Sequence, residues 1–161
     1  MSGQIFAFLG SPALVRNEAK RIIEERAPGR DSLQFQRMYA EEAEKNLPEE
    51  ILSFSMFSSS RVFWVQNLET ASQSLLEFLL TYVTGVGLDS VNTLILTGAG
   101  LPKKGPVRKL KAALKKHGTV REYPIQKVDP MKYVQQLCSK FSVEISRKGR
   151  DLLLQRVGKD L

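Results

Sequence analysis

The first place where this sequence could do chemistry is the turn after its first apolar run, residues 5–9. A strand that enters a glycine and then a helix is where nucleotide-binding proteins place G-x-x-x-x-G-K-[ST]. The backbone N–H groups of that loop hold phosphates, while its Lys and Ser/Thr contact phosphate and magnesium. Counting from Gly10, the second glycine, the lysine and the hydroxyl residue are replaced by Val15, Arg16 and Asn17. The sequence keeps the position of a phosphate loop but not its chemistry.

Residues inside this stretch indicate a helix start rather than a phosphate cradle. Pro12 has no backbone N–H to donate, and Val15 does not readily adopt the backbone geometry that glycine permits. Ser11 followed by Pro12 is typical of a helix N-cap and the first helical residue. We therefore expect an α-helix to begin directly after this turn.

The acidic residues that would bind magnesium in such a site are also missing. A strand at residues 62–65 would be expected to end in acidic residues, yet Gln66 and Asn67 follow it and Glu69 lies further along. The residues that bind phosphate and those that bind magnesium are thus missing independently. We therefore expect a nucleotide-hydrolase scaffold without its catalytic residues and without a nucleotide cofactor. The alternative is an ordinary α/β domain with no nucleotide ancestry.

Other catalytic groupings are also missing. His117 is the only histidine and Cys138 the only cysteine, which excludes a histidine pair and a set of thiol metal ligands. His117 precedes Gly118 at a predicted helix end, where a cation near the last carbonyls has a structural explanation. The acidic cluster that begins at Glu41 is interpreted as a solvated helix face. We assign no catalytic residue and no metal ligand.

The bulk composition limits the class of protein. With 161 residues, of which 42% are apolar, the chain can bury one sizeable core and begin a second small unit. No apolar run approaches the roughly 20 residues needed to cross a bilayer, and no export leader is recognised. A single cysteine fits a reducing compartment. We expect a cytoplasmic protein without a membrane partner.

The elements that would position these residues alternate between strand and helix. Short continuous apolar runs are typical of strands buried on both faces, and apolar residues every three or four positions are typical of helices. Strands are predicted at residues 5–9, 33–39, 62–65, 93–97 and 119–123, and helices at 13–27 and 70–83. The second strand has polar residues interleaved with apolar ones, which suits either a strand with one wetter face or a place at the sheet edge. The alternation favours crossover connections and a mostly parallel sheet with helices on both sides.

The pattern changes near Tyr123 and Pro124, and only helical patterns follow, at residues 130–141 and 146–157. Two helices cannot bury their apolar faces alone. Residues 1–125 are therefore predicted to form the α/β domain, and residues 126–161 the beginning of a helical unit that is truncated.

One segment concentrates positive charge. Lys and Arg outnumber Asp and Glu by 24 to 17, which makes polyanions plausible partners. Around residues 103–117, Val107, Leu110 and Leu114 share a helical face, so the cations form an outer basic surface. The candidate DNA-facing residues are Lys103, Lys104, Lys109, Lys111, Lys115 and Lys116. They would contact phosphates without reading bases. A solvated helix face is the alternative, because no aromatic residues are interleaved to stack on bases.

A short hydrophobic element precedes the third predicted strand. From Leu52 the chain reads Leu-Ser-Phe-Ser-Met-Phe-Ser-Ser-Ser-Arg and then enters the strand directly. This element occurs together with the degenerate glycine turn, the basic helix ending at Gly118 and the final Val-Gly-Lys-Asp-Leu. The order of these features along the chain resembles that in the delta subunit of the bacterial DNA polymerase III clamp loader. The resemblance spans the whole chain.

That resemblance implies a five-stranded P-loop-type (AAA+-like) fold followed by the start of a small helical lid domain. It implies no ATPase activity in this chain. The hydrophobic element would bind the ring-shaped sliding clamp, the beta subunit, and wedge one ring interface open during replication. Met56 and Phe57 would form the plug, with Ser58 and Arg61 as further clamp-binding residues. Other clamp-loader subunits would bind through a C-terminal domain absent here, primed DNA is a further partner, and the location would be the bacterial cytoplasm near the nucleoid.

Several interpretations stay open at this point. Met56 and Phe57 could pack inward, and the Ser-rich stretch is one residue longer than the family's pattern, so the contact register is open. The chain could also be a basic nucleic-acid-binding domain without enzymatic activity. A small enzyme with a nonstandard nucleotide site is the third candidate.

Overall fold

Strands and helices alternate in the computed structural model, which describes residues 4–29, 34–53, 60–125 and 130–157. The strands are β1 (Ile5–Gly10), β2 (Phe35–Tyr39), β3 (Val62–Gln66), β4 (Thr93–Gly98) and β5 (Thr119–Tyr123). The helices are α1 (Pro12–Arg26), α2 (Ala40–Leu52), α3 (Gln73–Thr84), α4 (Val107–His117), α5 (Pro130–Phe141) and α6 (Arg147–Val157). Single 3-10 turns lie at Leu68–Thr70 and Val86–Leu88. Within these ranges, no helix combines the length and the apolar character that a bilayer span requires.

The strands form one five-stranded sheet in the order β2-β3-β4-β1-β5. Every neighbouring pair is parallel, with β1 between β4 and β5. Parallel neighbours require crossover connections, which the intervening helices supply. The predicted α/β class and helix-flanked five-stranded sheet are confirmed, and the second strand lies at an edge, which is one of the two placements that its interleaved polar residues predicted.

The two faces of the sheet are covered unequally. Helices α2, α3 and α4 pack on one face, where the cluster of buried side chains includes Phe63, Leu94 and Leu96. In the described part of residues 1–125, α1 is the one helix whose side chains join the cluster on the other face, against Phe8 and Trp64. Full burial of such a side chain contributes roughly 1.5–3 kcal/mol, so both clusters stabilise the sheet.

Local signals explain where the helices begin and end. Ser11 occupies the N-cap of α1 and Pro12 its first turn, as predicted, although the Ser11 side chain makes no capping hydrogen bond. The third helix begins at Gln73 rather than at residue 70, because the Ser72 hydroxyl accepts the Leu75 N–H at 3.2 Å and caps it there. The start of α3 is thus set by a side chain that satisfies one of its free N–H groups.

The chain divides into two compact units, Met1–Ile125 and Gln126–Leu161. In the second unit, α5 and α6 are joined by a turn in which Ser142 has a φ of 52° and the Val143 N–H donates to the Cys138 carbonyl at 2.9 Å. Val134 is buried, whereas Phe141 and Leu152 are exposed. The described part of this helix pair therefore leaves apolar side chains in contact with solvent.

Candidate functional site

The turn between β1 and α1, where a phosphate loop would lie, is closed. β1 ends at Gly10 and α1 begins at Pro12, so Ser11 alone connects them. The Ser11 N–H donates to the Tyr123 carbonyl of β5 at 3.1 Å, and the Ser11 carbonyl accepts the Val15 N–H at 2.9 Å. Because Pro12 has no N–H and the Ser11 N–H is bonded to Tyr123, two of the backbone donors that could cradle a phosphate here are missing or already used.

Gly10, the last residue of β1, lies against the Tyr123 backbone of β5. Its φ is +118°, and a Cβ at this position would lie 1.7 Å from the Tyr123 carbonyl oxygen and 2.7 Å from the Tyr123 carbonyl carbon. No side chain fits at that distance, and the backbone conformation itself favours glycine. The glycine that matches the first position of a phosphate loop therefore serves the packing of two strands.

A small polar cavity of about 110 Å³ lies at the carboxyl ends of β3 and β4. Trp64 Nε1 donates to Thr97 Oγ1 at 2.9 Å, and Thr97 Oγ1 donates to the Val65 carbonyl at 3.3 Å. The carboxylate of Glu69 accepts the Ala99 N–H at 2.9 Å. Ligand pockets usually measure about 300–1,000 Å³, so this cavity is too small for a nucleotide. In the described ranges, no three His, Cys, Asp or Glu side chains cluster as metal ligands would.

A larger open groove of about 620 Å³ lies at the carboxyl ends of β1 and β5, beside α4. Its lining is mainly apolar and includes Leu101, Val107 and Ile125. Lys111 Nζ lies 2.7 Å from a carboxylate oxygen of Glu122 at its wall. The hydrogen bond from Lys111 is the main cause that holds the pKa of Glu122 below its usual value. Lys111, a candidate DNA contact, is thus already paired.

The other candidate DNA-facing lysines surround the same helix. Leu110, Ala113 and Leu114 of α4 are buried, as the helical pattern predicted. The side chains that remain exposed are those of Lys103, Lys104, Lys109, Lys115 and Lys116. These cations lie on α4 or in the residues just before it, and their contact with DNA stays a prediction.

The hydrophobic element, residues 54–60, connects α2 to β3. Met56, Phe57 and Ser58 lie outside the described residues, so their predicted clamp contact and the inward alternative both stay predictions. Ser60 is described and exposed. The structure describes the framework at the two ends of the element.

Arg61 fastens the start of β3 to the end of α2. Its guanidinium donates to the Glu50 carbonyl at 3.0 Å and to Ser53 Oγ at 3.2 Å. It also donates to the Glu50 carboxylate at 2.9 Å and to Gln36 Oε1 at 3.2 Å, and lies 4.8 Å from the centroid of the Phe63 ring. The Arg61 side chain is 14% exposed. These contacts are intramolecular, and a contact of Arg61 with a clamp stays a prediction.

Asn92 adds a second fastening that sequence reasoning missed. Its Oδ1 accepts the Arg61 N–H at 3.0 Å, and its Nδ2 donates to the Ile51 carbonyl at 3.0 Å. A signal existed, because Arg61 directly precedes β3 and Asn92 directly precedes β4, and neighbouring parallel strands begin at the same sheet edge. We call the contacts of Arg61 and Asn92 with the end of α2 the brace.

Replacing Arg61 with alanine is expected to lower the free energy of unfolding by about 2 kcal/mol, because several charge-assisted hydrogen bonds are lost together. Urea denaturation measures this loss. Arg61→Lys should recover only part of it, since an ammonium cannot reproduce the planar fork. The control is Arg21→Ala, which removes an exposed ion pair with Glu18 and should cost less than about 1 kcal/mol. Equal losses in Arg61→Ala and Arg21→Ala would contradict the brace.

The same brace predicts a pH dependence. The hydrogen bond from Arg61 is the main cause that lowers the pKa of Glu50 below its usual value. A carboxyl with a lowered folded-state pKa stabilises the fold above its unfolded-state pKa, about 4.3 for Glu, and this contribution disappears as the pH falls through the folded-state pKa. The stability difference between wild type and Arg61→Ala should therefore be constant near neutral pH and shrink in acid.

No protein-family model matches this sequence, and no curated protein matches it. Among solved structures, the DNA clamp loader delta protein of Bacillus subtilis matches with a TM-score of 0.58 and 16% identity, over 95% of this chain and 48% of that chain. A DNA polymerase III gamma subunit-related protein of Thermotoga maritima matches with a TM-score of 0.55 and 11% identity, over 96% of this chain and 50% of that chain. This chain thus spans about half the length of the structures that it matches. At these identities the likeness is one of fold alone, and it agrees with the predicted parallel α/β sheet flanked by helices.

Proposed function

We propose that this chain is the clamp-binding part of a clamp-loader delta-type subunit, which grips a ring-shaped sliding clamp and holds one ring interface open. The observation that carries the proposal is the closed β1–α1 turn, found in a fold shared with a clamp loader delta protein. A P-loop-type scaffold that has lost its phosphate cradle is suited to binding rather than to hydrolysis.

The hydrophobic element supplies the contact in this proposal. Met56 and Phe57 each bring an apolar side chain whose full burial contributes roughly 1.5–3 kcal/mol, and aromatic side chains are frequent interface anchors. Ser58 lies beside them in the sequence. The brace supports this role because Arg61 and Asn92 hold the end of α2 and the start of β3 together at the base of the element.

Ring opening in this proposal is driven by differential affinity. A subunit that does not hydrolyse ATP can open a ring only by binding the open form more tightly than the closed form. We propose no ATP site in this chain. The Ser11 N–H supports this, because it already donates to the Tyr123 carbonyl and is not free to bind a phosphate. Other clamp-loader subunits, primed DNA and a location in the bacterial cytoplasm near the nucleoid belong to the same proposal.

Calorimetric titration with the purified sliding clamp of the source bacterium tests the proposal. Binding to a clamp variant whose ring interface has been disrupted should be at least about tenfold tighter than binding to the closed ring, because no interface must then be opened. Equal affinity for the two forms would restrict the function to gripping. Absence of binding to both forms by folded protein would overturn the proposal.

A nucleic-acid-binding domain is the second candidate function. The exposed lysines of α4 and the residues before it favour it, since Lys103 and Lys109 form no ion pair with another described residue. Such a domain would bind DNA with an affinity that falls steeply with salt.

A further inference from the structure

A groove of about 310 Å³ lies between α1 and the edge strand β2. It exists because α1 packs over β1, β3 and β4 and leaves the outer part of β2 uncovered. Arg37 and Tyr39 of β2 are consequently exposed, with Trp64 of β3 as a buried neighbour. The groove lies on the face of the sheet opposite α4 and has the volume of an ordinary ligand pocket.

Three cations from two elements line this groove. Arg16 and Lys20 are one helical turn apart on α1, and Arg37 comes from β2. The described residues that line the groove include no carboxylate. Within the described ranges no ion pair involves any of the three cations, whereas on the same face Arg21 and Arg121 both contact Glu18. The groove therefore concentrates positive charge that no ion pair among the described residues neutralises.

The acidic side chain of α2 that contacts β2 is already engaged. Glu42 of α2 accepts the Tyr39 N–H through its carboxylate at 3.3 Å and is not among the lining residues. A negatively charged ligand would therefore meet these cations without displacing an ion-pair partner among the described residues.

Aromatic rings accompany these cations. Tyr39 is 44% exposed, Phe35 is half-buried and Trp64 is buried, and all three line the groove. Aromatic faces stack on nucleobases of any sequence, and cations beside them hold the phosphates. The basic surface of α4 has no such rings, so this combination distinguishes the groove from the rest of the charged surface.

We propose that the groove between α1 and β2 binds a nucleotide unit, with its phosphate held by Arg16, Lys20 and Arg37 and its base stacked on Tyr39. The shared chemistry is a nucleoside phosphate, which could be a free mononucleotide or part of a single strand. The inference does not depend on clamp binding.

Fluorescence anisotropy with a short labelled oligothymidylate at low salt tests this site. The variant Arg16→Ala/Lys20→Ala/Arg37→Ala should bind at least about tenfold more weakly, and the slope of log affinity against log salt should fall by about 2 for the three lost phosphate contacts. Tyr39→Ala should weaken binding about tenfold through lost stacking, and Tyr39→Phe should not. The substituted side chains are exposed, and circular dichroism checks that each variant folds.

The matched control is Lys109→Ala/Lys115→Ala/Lys116→Ala, which removes the same charge from α4. It should weaken binding less than about threefold, through the general field alone. An equal or larger loss in this control would overturn the proposal, and so would unchanged binding by the groove variant. Thymidine monophosphate and inorganic phosphate serve as competitors. If the mononucleotide displaces the labelled oligothymidylate, the ligand is assigned as a free nucleotide. If only unlabelled oligothymidylate displaces it, the ligand is assigned as a nucleic-acid single strand. If inorganic phosphate displaces it equally well, the groove does not recognise the base and the proposal is overturned.

Discussion

Replacing Met56 and Phe57 together with alanine is expected to weaken clamp binding by at least about 100-fold, since interface anchors commonly contribute 2 kcal/mol or more each. If both side chains insert into a clamp pocket, truncation removes their buried area and leaves the pocket partly filled with water. The unfolding free energy should stay within about 0.5 kcal/mol of wild type, because surface side chains contribute little to stability. Calorimetry with the clamp and urea denaturation measure the two quantities.

The second unit offers a control of the same composition. Met131 and Phe141 are 46% and 66% exposed, so Met131→Ala/Phe141→Ala removes the same two side-chain types from another surface. This variant should bind the clamp within about twofold of wild type. A stability loss of several kcal/mol in the Met56→Ala/Phe57→Ala variant would favour the inward alternative, and unchanged clamp binding would exclude these residues as the plug.

Replacing Gly10 with alanine is expected to lower the unfolding free energy by more than about 4 kcal/mol, a loss that few single substitutions reach. The added Cβ would lie 1.7 Å from the Tyr123 carbonyl oxygen, and the φ of +118° disfavours any side chain. The atoms in the way belong to the backbone, so β5 itself would have to move away from β1. Thermal and urea denaturation of purified protein measure the loss, and the soluble yield reports it if the variant does not fold.

Gly100→Ala is the matched substitution. A Cβ at Gly100 would meet nothing within 4 Å, so this variant should stay within about 0.5 kcal/mol of wild type. A Gly10→Ala variant of wild-type stability would show that β1 and β5 do not approach as closely as the structure has them.

The parts of the fold that depend on local pattern could be predicted from the sequence. Buried strands read as continuous apolar runs because both faces of a parallel sheet are covered. The edge place of β2 followed from its interleaved polar residues, two of which, Gln36 and Arg37, are partly or fully exposed. The sequence pattern predicts that α3 begins at residue 70, three residues before its start in the structure. Thr70 instead belongs to a separate 3-10 turn, and Ser72 caps the helix.

The candidate site was less predictable because its contacts join distant residues. Arg61 meets Asn92 across 31 positions, and Trp64 meets Thr97 across 33. These pairings follow from the order of the strands, which periodicity does not determine. The sequence placed Gly10 at the first position of a phosphate loop, yet its reason for being glycine is the approach of β5. The groove likewise depends on which strand α1 leaves uncovered.

The brace also has an entropic consequence for any partner of the hydrophobic element. Arg61 contacts Ser53 at 3.2 Å, so folding itself brings together the ends of the seven-residue connection 54–60. Bringing together the ends of a seven-residue connection costs about (3/2)RT ln n, on the order of 2 kcal/mol. A partner that binds the element does not have to provide this part of the ordering free energy. Removing the contacts of the brace by mutation would therefore weaken association with the partner, even when every side chain that touches the partner is intact. The loss of affinity would appear as a more unfavourable binding entropy.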